Sequence, residues 1–180
     1  MKNQNTKKLA YAALFLALCL VLPMLMGQIP QIGSMLLPMH IPVLLCGLVC
    51  GWQYGAAVGF VAPLLRSVLF GMPPMYPVAI AMAFELLTYG LVIGLVYRRM
   101  AQKGAVGVYA ALLTAMVAGR LVWGVAEVVL LGLGGKAFTA QAFLAGALLN
   151  AVPGIIVQLV LIPAVMAALQ KAGAVKQYAE

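Results

Sequence analysis

Four charged side chains lie in sequence that otherwise belongs in lipid: Arg66, Glu85, Arg120 and Glu127. A charge in such surroundings is costly, so it faces the protein interior or a water-filled cavity, where it is paired or functional. Their types define a chemistry of binding. A guanidinium offers a planar fork to carboxylates and phosphates, while a carboxylate accepts from amines and hydroxyls. Arg120, Trp123 and Glu127 are spaced three and four apart and share one helix stripe. An arginine, an indole and a carboxylate on one face can hold a polar, planar or amphoteric molecule. Asn150 adds an amide and His40 an imidazole, and Tyr76, Tyr89, Phe84 and Met72 or Met75 can supply apolar walls. The candidate substrate-binding residues are therefore Arg66, Glu85, Arg120 and Asn150, then Trp123, Glu127, His40 and Tyr76. A purely structural reading stands beside this one. Arg66 can pair with Glu85 and Arg120 with Glu127, His40 can meet water or a backbone carbonyl, and Asn150 can tie helices together.

The same inventory argues against catalysis. There is no HExxH, GxSxG or Walker A pattern. Nothing provides the two membrane carboxylates with a nucleophile or metal partner. Cys19, Cys46 and Cys50 all fall in apolar runs, which suits neither a disulfide framework nor a metal site. No cofactor, no metal and no enzymatic activity are expected. If transport through this chain consumes ATP, another subunit supplies the ATPase.

The elements that must position these residues are membrane helices. The chain has 180 residues, 66% of them hydrophobic and 8% charged, with a mean hydropathy of +1.11. A soluble domain needs charge on nearer a quarter of its residues. Several runs approach the roughly 20 apolar residues that span a bilayer. The expectation is an all-α, integral membrane protein of one domain, residues 1–180, with six transmembrane helices at about 8–26, 38–51, 54–71, 78–97, 105–131 and 140–169. Trp52 and Gln53 are expected to form the tight turn between the second and third. The first apolar run has a basic flank but no small-residue cleavage site, and reads as a retained helix.

Six spans place both termini on one side. Lys2, Lys7, Lys8, Arg98, Arg99, Lys103, Lys171 and Lys176 all fall there, against Lys136 alone on the other. The positive-inside rule then gives N-in and C-in, so the net charge of +8 is topology rather than nucleic-acid affinity. On this topology the intramembrane polar groups cluster in the outer half. His40 starts the second helix at the outer surface, and the stretch GMPPMYP, residues 71–77, forms an outer cover between Arg66 and Glu85.

Small residues set the packing. Gly47, Gly51, Gly55 and Gly59 recur every four residues, and Gly90 and Gly94 repeat the spacing. Such spacing lets helix backbones approach, here inside the chain. Ala13 and Ala17 form a further small-residue pair on the first helix, available for internal packing or for docking a partner.

The chain resembles the substrate-binding S components of energy-coupling factor (ECF) transporters, the prokaryotic micronutrient importers. Two features carry the resemblance: Ala13-x-x-x-Ala17, and the run PMHIPVLLCGLVCGWQYGAAVGFVAPLLRSVLFG from Pro38 to Gly71. The resemblance implies a plasma-membrane subunit that binds a water-soluble vitamin at the outer side, between the loop joining helices one and two, the loop joining three and four, and helices four to six. It implies that Ala13 and Ala17 pack on a transmembrane T subunit, that two cytoplasmic ATPases complete the importer, and that the subunit topples in the membrane to release its ligand inside. The residue types suit a small amphoteric or hydroxyl-rich vitamin such as pyridoxine or pantothenate. The competing reading is a structural membrane protein of the same six-helix fold, of the rod-shape scaffold type, with no small-molecule ligand.

Overall fold

The computed structural model describes residues 2–25, 35–100, 104–135, 139, 141 and 151–173. All regular structure among them is helical: α1 (Lys2–Leu25), α2 (His40–Cys50), α3 (Trp52–Phe70), α4 (Ile80–Met100), α5 (Ala105–Leu133) and α6 (Val152–Lys171). Five of these are long and apolar enough to cross a membrane, with α4 extended by a π-helical turn over Met75–Ala79. The exception is α2. Its 11 residues rise about 16 Å, roughly half the hydrocarbon thickness. The expected span at 38–51 is therefore a half-length helix.

Glycine marks the helix ends that matter for the site. The turn between α2 and α3 is Gly51 alone, at φ 98°, so Trp52 and Gln53 already belong to α3. Only glycine holds such a φ without strain. Gly71 ends α3 in the left-handed region, at φ 69°, with its N–H on the Ser67 carbonyl. The chain then runs extended to a π turn whose Tyr76 is itself non-helical, at φ −116° and ψ 133°.

The fold centres on α4, which packs on α2, α3 and α5. The contacts are made at backbone level. A Cβ on Gly47 or Gly55 would stand 2.8 or 2.9 Å from the Gly90 carbonyl oxygen. Gly59 lies on the backbone of Leu86, Gly90 on that of Gly55, and Gly94 on that of Trp52. The glycine register thus serves packing inside the chain. In lipid there is little hydrophobic drive between helices, so close van der Waals contact of this kind holds them. The interior is filled by Val43, Leu44, Leu48, Leu86, Ile93, Leu112, Ile162 and Met166.

The outer surface is apolar as well. Leu14 and Val21 on α1, Leu113, Val117, Leu121 and Val125 on α5, and Ile156 and Val160 on α6 are all exposed. On a soluble protein such continuous exposure would drive association; it suits acyl chains. Charge gathers at one end of the bundle, with Lys7 and Lys8 near the start of α1, Arg98 and Arg99 at the end of α4, and Lys171 at the end of α6. A hydrogen bond of 3.2 Å from Gln170 Nε2 to Tyr97 Oη ties α6 to α4 there.

Candidate substrate site

The site is built on Glu85, which α4 buries to 1% exposure between α2 and α5. Two groups converge on one oxygen. Arg120 Nη1 from α5 lies 2.9 Å from Glu85 Oε1, and His40 Nε2 from the start of α2 lies 3.4 Å from it. The Tyr89 hydroxyl, one turn along α4, also interacts with this carboxylate. Tyr89 fills the space between three helices. Its ring meets His40 edge-on at 5.2 Å, and a Cβ on Gly119 of α5 would stand 2.6 Å from it. Glycine at 119 therefore lets the α5 backbone come close enough for Arg120, the next residue, to reach Glu85.

These pairings differ from the simple ones in the sequence. Arg66 does not meet Glu85. Its Nη1 donates to the Leu20 carbonyl of α1 at 2.6 Å, and its guanidinium sits 5.5 Å from the Phe70 ring centroid. Arg120 does not pair with Glu127 either. Those residues are seven apart, about 10 Å along α5, while the α4 carboxylate is in contact range. Glu127 is buried at 6% exposure farther along the same stripe. Trp123 lies between them, with its ring centroid 6.0 Å from the Arg120 guanidinium carbon.

His40 also departs from its expected place. It is 1% exposed rather than at a surface. Its ring packs against Glu85 and Tyr89 of α4, and the segment before it runs along α6. Met35 and Leu36 lie over Gly154 of α6, and Leu37 and Met39 are themselves buried. Tyr76 is exposed, and its hydroxyl donates to the Leu130 carbonyl near the end of α5. The cover over residues 71–79 is thus fastened to the helix that carries Arg120. Asn150 lies outside the described residues.

Ion pairing leaves much of the cluster's hydrogen-bonding capacity unused. Among the described residues, Arg120 Nε and Nη2 and His40 Nδ1 are buried without a hydrogen-bond partner. So is Gln158 Nε2 on α6, whose residue is 1% exposed. Buried polar groups are nearly always satisfied, and an unsatisfied one costs about 1–3 kcal/mol. Arg120 and His40 carry three such atoms within one cluster. No group of three or more His, Cys, Asp or Glu among the described residues is arranged to hold a metal.

Over residues 7–167 the chain matches the family described as ECF transporter, substrate-specific component. It belongs to that family. Nothing among the curated proteins or the solved structures matches it. This S component is accordingly a membrane-embedded, multi-pass, substrate-binding part of a transporter and not an enzyme. Such components bind small molecules and work with a T subunit and ATPases.

Two further placements bear on its work. On α1 of this S component, Ala12, Phe15 and Cys19 turn inward, while Ala13 and Ala17 are exposed on the opposite face. The small-residue pair is therefore not spent on internal packing. Gln158 was absent from the sequence-derived candidates, although it is the single polar side chain in the first ten residues of α6. That isolation within an apolar helix was the signal that could have found it.

Proposed function

We propose that this S component captures a water-soluble vitamin from outside a prokaryotic cell and delivers it inward with a T subunit and two cytoplasmic ATPases. The observation that carries the reading is the buried Glu85–Arg120–His40 cluster, with donor atoms that no described residue satisfies. The binding residues are Glu85, Arg120, His40, Trp123 and Glu127, with Asn150 and Gln158 from the last helix and Tyr76 in the cover. Arg66 is left out, since it does not join the Glu85 cluster: its Nη1 donates to the Leu20 carbonyl and its guanidinium lies by the Phe70 ring.

Six membrane passes with N-in and C-in topology put the basic end in the cytoplasm, by the positive-inside rule. The cluster, near the starts of α2 and α4, then lies toward the outside. The exposed Ala13 and Ala17 form the docking face for the T subunit, because small residues let a partner helix approach closely.

The test is calorimetric titration of the full chain in lipid nanodiscs with riboflavin, pyridoxine, pantothenate, thiamine, nicotinate, folate and biotin. The expected result is one ligand bound at low-micromolar affinity or tighter, with binding lost in Arg120→Ala. Absence of binding across the panel overturns the reading. For the docking face, Ala13→Leu with Ala17→Leu is expected to abolish co-purification of T subunit and ATPases while leaving vitamin binding in place.

A further inference from the structure

The donors left open at the site are arranged, and their arrangement selects a substrate chemistry. Arg120 contacts Glu85 through Nη1. The two nitrogens it leaves unpartnered, Nε and Nη2, are the side edge of the guanidinium. That edge carries two parallel N–H bonds, the geometry that grips a carboxylate with two hydrogen bonds. Both atoms are buried from solvent, so water does not compete for them. Had Arg120 served only to neutralise Glu85, its two-pronged edge would have been the natural choice for that contact. Instead one end nitrogen meets the carboxylate, and the two-donor edge is kept free.

A third unpartnered donor is buried on α6. Gly154, one turn before Gln158 on α6, lies against the backbone of Leu36, in the segment that leads into His40. The helices α2 and α6 are in contact. Gln158 is thus on the helix packed against α2 and its leading segment, completely buried, with its amide nitrogen unpartnered among the described residues. Two guanidinium N–H groups and one amide N–H call for a molecule that brings acceptors. Farther along α5, about 10 Å from Arg120 at 1.5 Å per residue, the Glu127 carboxylate requires the opposite. A hydroxyl or amine is the group that suits it.

We infer that the substrate is a small carboxylate, bound through its carboxyl group by the side edge of Arg120 and by the Gln158 amide, with its hydroxyl- or amine-bearing end directed along α5 past Trp123 toward Glu127. This rests on the vitamin-binding reading above and narrows it. Between the two vitamins that the residue types suggested, it selects pantothenate, which has a carboxylate and hydroxyls, over pyridoxine, which has no carboxylate.

The experiment compares carboxylates with their uncharged counterparts on the unaltered full chain in nanodiscs. The probe pairs are pantothenate and panthenol, nicotinate and nicotinamide, and biotin and biotinamide, with pyridoxine, riboflavin and thiamine as ligands without a carboxylate. The expected result is that one carboxylate binds and its counterpart binds about 10- to 150-fold more weakly, the range for hydrogen bonds to charged groups. Arg120→Lys keeps the charge beside Glu85 but removes the fork, and Gln158→Leu removes the amide. Each is expected to lower the preference for the carboxylate over its counterpart. A carboxylate and its counterpart binding equally, or a preferred ligand among pyridoxine, riboflavin and thiamine, overturns the inference and leaves the vitamin-binding reading standing. A preference unchanged in both variants also overturns it. Failure of every probe to bind removes the vitamin-binding reading itself.

Discussion

Two arginines lie inside the apolar body of this S component, and they are treated differently. Arg66, between α1 and α3, donates to the Leu20 carbonyl and lies over Phe70. Arg120, between α4 and α5, has a carboxylate, an imidazole and a tyrosine around it and still keeps donors unused. The first needs a lone pair and an aromatic face, both of which a helix bundle supplies at no cost in charge. The second is surrounded by ionisable groups, which are expensive in lipid and are not needed merely to hold helices together. On the binding role proposed for Arg120, the difference separates an arginine that closes a structure from one that would take a ligand.

The comparison can be broken most directly at Glu85. Glu85→Ala leaves the buried Arg120 cation without its counter-charge, and breaking a buried pair this way costs about 3–5 kcal/mol. We expect a large fall in the thermal unfolding midpoint in nanodiscs together with loss of vitamin binding. An unchanged midpoint would mean that the cluster carries no weight. Next in size is Gly90→Val, which drives a side chain into the Gly55 backbone, at a cost near 3 kcal/mol for such overpacking. Size-exclusion chromatography should show reduced monodisperse yield.

Arg66→Met sharpens the comparison. It removes a charged hydrogen bond of about 1.5–3 kcal/mol, so the midpoint should fall. Ligand affinity should stay within about twofold, as expected for sites without shared partners. Loss of binding in a folded Arg66→Met protein would put both arginines in the same class. The smallest effect is expected from Tyr76→Phe, which frees residues 71–79 from the Leu130 carbonyl at about 1 kcal/mol. It should speed ligand dissociation in stopped-flow fluorescence with little change in the midpoint.

Much of the frame was legible in the sequence because lipid imposes simple rules. Apolar runs marked the helices, and the four-residue glycine spacing marked the packing of α2 and α3 on α4. The run at 38–51 was read as a short helix and still counted as a pass; it is eleven residues long because the chain ahead of His40, at residues 37–39, is not helical. The charged residues were recognised individually, but their partners were not. Arg66 meets a backbone carbonyl, a group every residue has, so no side chain advertised the contact. Arg120 and Glu85 are far apart in sequence and meet only because Gly119 lets α5 close on Tyr89. Nothing local to His40 showed that Glu85 and Tyr89 of α4 would enclose it.

The backbone-to-backbone contact of Gly47, Gly55, Gly59, Gly90 and Gly94 has a consequence for how such a subunit can change. A frame held together by main chain does not depend on the identity of the side chains that line the neighbouring site. Trp123 and Glu127 lie on α5 and Gln158 on α6, helices that take no part in that glycine seam. On the proposed binding role of these residues, a change of cargo would alter the lining on α5 and α6 while the glycine-seamed frame of α2, α3 and α4 stays as it is.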